Sequence, residues 1–183
     1  MRAFFIASLL ALAAACAPAE EQEVLSDGCD TRATSQWVAG DATYSIEATT
    51  QGPDCDRAVA TIVIRDSSGV PDFAEVHVAG QVMVLAGAAD PAAMQTALAE
   101  WIDPTRGGFQ TSSELPDWPA NAEAPASGEF PFYVGDGVDR ATYLDIRGRN
   151  VPMFCFVQGM ESLNCLAREE GGLAHVGVQA FPG

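Results

Sequence analysis

The chain contains no lysine. Nine arginines are its only permanent cations against 25 aspartates and glutamates, and the formal net charge is −16. Such a surface repels phosphate backbones and anionic headgroups, so no nucleic-acid partner is expected. Histidine is almost missing as well: His77 and His175 are the only two. Neither His nor Cys falls into a cluster with metal-ligand spacing, so no metal centre is expected. There is no phosphate-cradling glycine loop and no dinucleotide fingerprint, which leaves no cofactor to predict. A serine triad needs a positioned serine, and Ser68 precedes Gly69 in a turn without an elbow motif around it. The longest apolar run, Ala3 to Ala15, is broken only by Ser8 and is too short to cross a bilayer as a helix. Abundant Ala and Gly beside arginine-only cations fit a GC-rich genome, and acidity by itself serves solubility.

What is there begins at the N-terminus. Met1-Arg2 gives a short positive start, and Ala3 to Ala15 has the length of a signal-peptide h-region. Ala13-Ala14-Ala15-Cys16 closes it with small residues against a cysteine, and Ala17-Pro18-Ala19-Glu20-Glu21 turns abruptly polar. This ending resembles a bacterial lipobox, in which the cysteine thiol takes a diacylglycerol and becomes residue one. The usual aliphatic residue three places before the cysteine is Ala13 here, and Ala13-x-Ala15 also suits ordinary signal peptidase. Both readings cut before Cys16. Cysteine parity separates them: of Cys16, Cys29, Cys55, Cys155 and Cys165, lipidation of Cys16 leaves four to pair in an oxidising compartment. The expectation is a signal peptide at 1–15, lipid on Cys16, an acidic tether at 16–27 and one disulfide-braced domain at 28–183. Ala17, where Asp would favour inner-membrane retention, points to the outer membrane, facing the periplasm. The mature part is one domain's worth of chain.

The remaining pattern predicts an α+β fold, mainly antiparallel β-sheet. Tyr44, Ile46 and Ala48 alternate with Ser45, Glu47 and Thr49, the period of a half-buried strand. Ala58 to Arg65 is β-branched and nearly continuous, as in a central strand. Asp66-Ser67-Ser68-Gly69 is a turn. Phe73 to Val78 alternates again, with Glu75 and His77 on one face and Val76 and Val78 on the other. Gln81 to Ala86 is a further apolar stretch. One clear amphipathic helix follows at about 91–102, with Asp90 as N-cap, Pro91 at its first position and Met94, Ala97, Leu98, Trp101 and Ile102 as the stripe that covers the sheet. Asp103-Pro104 ends it. Thr142 to Arg147 reads as a strand. Pro152 to Gln158 and Leu163 to Arg168 read as a hairpin, buried on both faces, that sets Cys155 opposite Cys165. The second bridge, Cys29 to Cys55, follows by elimination. His175 to Phe181 is a final strand.

Between helix and hairpin, 104–129 is a long Pro/Gly-rich loop without periodicity, a feature that is either functional or mobile. Glu114, Asp117, Glu123 and Glu129 make it acidic, no cation follows Arg106 within it, and Trp118 is placed to pin it to the domain. These five residues are the candidate contact surface. Phe130-Pro131-Phe132-Tyr133 returns the chain to the core. Elsewhere the chemistry is sparse. Both histidines lie on strand patterns where a solvent-facing or satisfied surface role is expected. Glu75 and His77 share a face as a possible acid–base pair. Asp136 and Asp139 in Gly-Asp-Gly-Val-Asp lack the further oxygens of a calcium loop and read as a turn.

As a whole the chain resembles the small uncharacterised lipoproteins of Gram-negative envelopes, most distinctively in QVMVLAGAADPAAMQTALAEWI and in the Cys155–Cys165 hairpin ending in VGVQAFPG. The resemblance implies an address and carries no catalytic residue. The expected function is that of a non-catalytic, lipid-anchored envelope protein that binds a partner protein, with the membrane engaged through the N-terminal lipid. The alternatives are a small hydrolase or small-ligand-binding protein, or an inhibitor of a periplasmic hydrolase of lysozyme type, whose basic surface the acidity would suit. A ligand-shaped pocket lined by His77 or His175 would favour the small-ligand reading.

Overall fold

A computed structural model of the chain describes residues 28–181. The signal segment 1–15, Cys16 and the tether 16–27 lie outside the described residues.

Four strands form a first antiparallel sheet in simple chain order: β1 (Thr31–Ala39), β2 (Ala42–Gln51), β3 (Val59–Arg65) and β4 (Pro71–Val78). Gly40, at φ 68°, supplies the left-handed turn between the first two. Their alternation buries Tyr44, Ile46 and Ala48 as expected, and Trp37 stacks on Tyr44 at 5.3 Å. β3 is central, but it is buried on one face only, through Ala60, Ile62 and Ile64. The turn after it is closed by Gly69 N donating to Asp66 O at 3.0 Å, with the Asp66 carboxylate accepting from Ser68 N and Val70 N.

Gln81 to Ala86 is not extended. It continues a 3-10 turn at Ala79–Gln81 in further turns and plugs the sheet with Val82 and Leu85. The expected helix is α1 (Pro91–Trp101), with the Asp90 carboxylate accepting from Ala93 N at 2.9 Å. Met94, Leu98, Trp101 and Ile102 are buried, and the helix packs against β1 and β2. Trp101 Nε1 donates to the Val157 carbonyl at 2.6 Å, joining this helix to the second sheet.

The second sheet comprises β5 (Phe132–Val134), β6 (Met153–Val157), β7 (Ser162–Glu169) and β8 (Gly172–Ala180), all antiparallel in the order β5-β8-β7-β6. The predicted hairpin is β6–β7, with Cys155 paired to Cys165 in register. One of its faces sends Phe154, Phe156 and Leu166 into the core shared with the first sheet. The other sends Met153, Cys155, Cys165 and Ala167 into a second core, completed by Val176 and Phe132. Both faces are therefore covered, as the doubly apolar pattern requires.

Thr142 to Arg147 corrects the expectation. It is not a strand but part of a second helix, α2 (Arg140–Arg149). The β-branched and aromatic residues there satisfy a period of two, yet Tyr143 and Ile146, three apart, are the buried ones. Asp139 caps this helix by accepting from Thr142 N at 2.8 Å, and Asn150 ends it at φ 51°. Gly135 to Val138 is the expected turn and delivers that cap. The helix lies over the second core, so the domain has three layers: first sheet with α1, second sheet, then α2 with the long loop.

The disulfides are Cys29–Cys55 and Cys155–Cys165, with Cα separations of 4.8 and 4.1 Å. Closing loops of these lengths stabilises by roughly 3 kcal/mol each in the loop-closure account.

Candidate interaction surface

The 104–129 loop is built into the domain at one end. Ser112, Leu115 and Trp118 are buried. Ser112 Oγ donates to Ile146 O at 2.6 Å and accepts from Val151 N at 2.9 Å, so one hydroxyl holds both sides of the α2 terminus. Tyr143 Oη donates to Pro116 O, Arg147 Nε to Leu115 O, and Arg140 Nη2 to Trp118 O, at 2.8 to 2.9 Å. Burial pushes the Tyr143 phenol well above its ordinary pKa, so it acts as a donor throughout the working range. The five candidate contact residues therefore divide. Trp118 is a core residue, with Nε1 donating to Ala122 O at 2.9 Å. Glu114 accepts from Gln110 N, and Asp117 pairs with Arg147 at 3.0 Å. Glu123 and Glu129 are exposed.

The same segment closes a sheet edge. Met153 N, at the outer side of β6, donates to Gln110 O, and Thr111 bridges to Pro152. Gly107 lies so close that an added Cβ would overlap the Cys155 carbonyl oxygen. Of the other edges, β5 is 3 residues long and β1 has α1 packed against it. β4 differs. It is an 8-residue edge strand, and among the described residues its outward backbone groups have no protein partner.

β4 turns Phe73 into the core against Phe156, but the rest of its alternation is inverted. Glu75 and His77 face the second sheet, while Val76 and Val78 are 63% and 42% exposed. His77 is not a surface residue. Its ring packs edge-on against Trp101 and Phe156, and its side chain is only 11% exposed. Its Nε2 lies 3.7 Å from Glu75 Oε1, beyond hydrogen-bond distance, and has no hydrogen-bond partner. Glu75 Oε2 instead accepts from Asn164 Nδ2 at 2.8 Å, across from β7. The pair thus shares a face, but a hydrogen-bonded acid–base dyad is not formed. His175 is exposed on β8, where its imidazole Nδ1 leaves no room for a side chain at Gly135.

A cleft of about 450 Å³ borders the C-terminal end of the β4 edge, lined by Val59, Val76, His77, Val78, Gln81 and Val82, with Gln158 and Gly159 beside them. Met83 N donates to Gly159 O and fixes the turn that forms the far wall. Of the nine exposed large apolar side chains among the described residues, three line this cleft, Val59, Val76 and Val78, and Met83 and Met160 are exposed at and next to the Met83–Gly159 contact. Sequence reasoning missed this patch because an alternating strand has two faces, and period alone does not say which is buried. The signal that could have found it is the pairing of Glu75 with an aromatic-rich, doubly apolar hairpin that needs one polar partner for Asn164.

Every arginine of the described residues is engaged. Arg32, Arg57, Arg106, Arg147, Arg149 and Arg168 pair with carboxylates. Arg65 and Arg140 donate to backbone carbonyls. Arg140 and Arg147 tie the loop to α2, while the pairs of Arg32, Arg57 and Arg106 lie at the surface. No protein-family model, curated protein or solved structure matches the chain.

Proposed function

We propose that the protein is a non-catalytic, lipid-anchored component of a Gram-negative cell envelope, held through Cys16 at the outer membrane facing the periplasm, and that it binds a partner protein. The lipobox-like ending supports the anchor, and so does cysteine parity: Cys29, Cys55, Cys155 and Cys165 pair among themselves, which suits an oxidising compartment. The observation that carries partner binding is the cleft at the β4 edge, lined by the exposed Val59, Val76 and Val78, on an otherwise strongly acidic molecule. Apolar side chains left exposed together at an open strand edge mark interaction sites. A basic partner, a hydrolase to be inhibited among them, fits the charge.

A second reading has one observation in its favour. His77 lines the cleft, and its Nε2 is buried without a partner, as a small polar ligand would require. One experiment covers the anchor and the partner. Cys16→Ser is expected to move the protein from the membrane to the soluble periplasmic fraction. With the anchor intact, a photo-crosslinking phenylalanine in place of Val76 is expected to join a protein partner in living cells. A soluble wild type with an unmodified terminus refutes the anchor. Absence of any crosslink at Val76 refutes the partner surface and leaves the small-ligand reading.

A further inference from the structure

We propose that the open edge of β4 receives an extended, cationic segment of the partner, which joins the first sheet as a fifth strand. The inference rests on the partner-binding reading above and specifies how the partner is held. An unpaired strand edge presents alternating N–H and C=O groups, and the structure that satisfies them in sequence is another extended backbone. β4 offers 8 residues of such edge, about 26 Å at strand rise. The cleft beside it is lined by the last three residues of β4, Val76, His77 and Val78, and bounded by Gln158 and Gly159, so it borders the C-terminal end of that edge.

The alternation of β4 sets the chemistry of its partner. Residues opposite Val76 and Val78 fall on the outer face, beside Val59, and meet apolar side chains. Residues opposite Glu75 fall on the inner face, where that carboxylate is 31% exposed, accepts from Asn164 and, among the described residues, has no arginine paired with it, His77 Nε2 being the nearest basic group at 3.7 Å. A cross-strand pair of opposite charge is favourable there, and a carboxylate opposite Glu75 is not. Charge complementarity points the same way, because the net charge is −16 and every arginine among the described residues is already engaged. The segment that fits alternates apolar and cationic residues. Pro71 bounds the paired length, since it has no N–H to offer at the start of the strand.

The test uses the full chain in detergent and three eight-residue peptides of defined sequence. The first alternates lysine and valine. The second replaces lysine with glutamate, and the third is the lysine peptide N-methylated at alternate backbone positions to remove its edge donors. Fluorescence anisotropy should show the lysine peptide binding, with affinity falling as salt rises. The glutamate and N-methylated peptides should each bind at least about tenfold more weakly. Amide exchange should slow at alternate β4 residues when the lysine peptide binds, and Val76→Asp, at an exposed position, should weaken it. Equal binding of the N-methylated peptide overturns strand addition, and equal binding of the glutamate peptide overturns the cationic partner. If no peptide binds while the Val76 crosslink to a protein persists, the inference fails and the partner reading stands. If both are lost, both fail.

Discussion

Two carboxylates in one turn region carry opposite signs of pH dependence. The Ser68 hydroxyl and then the Val70 N–H hold Asp66 below the ordinary carboxylate range. Its contribution to stability is present above the unfolded value and is lost as the pH falls through its lowered folded value. Asp72 is pushed the other way, first by burial and then by the Asp66 charge. Its folded form holds a proton more tightly than the unfolded chain does, so ionised Asp72 opposes folding. That opposition is complete above the folded value and vanishes below the unfolded one. Asp72→Asn is therefore expected to raise the melting temperature at pH 7, with the gain shrinking toward zero below about pH 4. Paired thermal melts at the two pH values check this, and a variant that is less stable at pH 7 contradicts it. The raised phenol of Tyr44 has the same first cause, burial, and Asp72 as its second.

Helix caps and edge covers decide how the elements stay in place. The Asp90 carboxylate satisfies Ala93 N, and its removal leaves that donor without a side-chain partner. Asp90→Ala should cost about 1 kcal/mol in urea unfolding, with most of the helical signal retained because Met94, Leu98, Trp101 and Ile102 still anchor α1. An unchanged midpoint would mean that packing alone sets the helix start. The β6 edge depends on closeness. Gly107 sits against the Cys155 carbonyl, where an added methyl group has no space. Gly107→Ala should cost roughly 1–3 kcal/mol and speed exchange of the Met153 amide, which donates to Gln110 O. Exchange at Met153 matching wild type would show that the loop does not guard this edge.

At the scale of the whole molecule, the second sheet is the shared wall of two cores. Phe154, Phe156 and Leu166 serve the first, and Met153, Cys155 and Cys165 the second. The 104–129 loop is the lid of the second core as well as surface. Replacing Thr111–Ala126 with a short Gly/Ser linker removes Ser112, Leu115 and Trp118 and uncovers that core. Loss of a cooperative melt is expected for this variant. Exchange of the exposed stretch Ala120–Ala124 for Gly/Ser of equal length should leave the melt close to wild type. A cooperative, wild-type-like melt after the long replacement would mean that the loop contributes nothing to the core.

Local chemistry determined what the amino-acid sequence could determine alone. Asp90 and Pro91 announce α1, Tyr44 to Ala48 announces β2, and Asp66 to Gly69 announces its turn, because caps, period and turn residues act within a few positions. The Cys155–Cys165 pairing followed from hairpin register. α2 escaped because Thr142 to Arg147 satisfies a strand period, and the stronger term was burial of Tyr143 and Ile146 beneath Trp118 and Leu115, some 25 residues earlier in the chain. The division of the acidic loop into framework and exposed residues depended on Arg140, Tyr143 and Arg147, which only α2 brings to it. The inverted face of β4 was decided by tertiary contact as well. An alternating strand buries whichever face meets the better partner, and Asn164, Trp101 and Phe156 drew Glu75 and His77 inward and left Val76 and Val78 to the solvent.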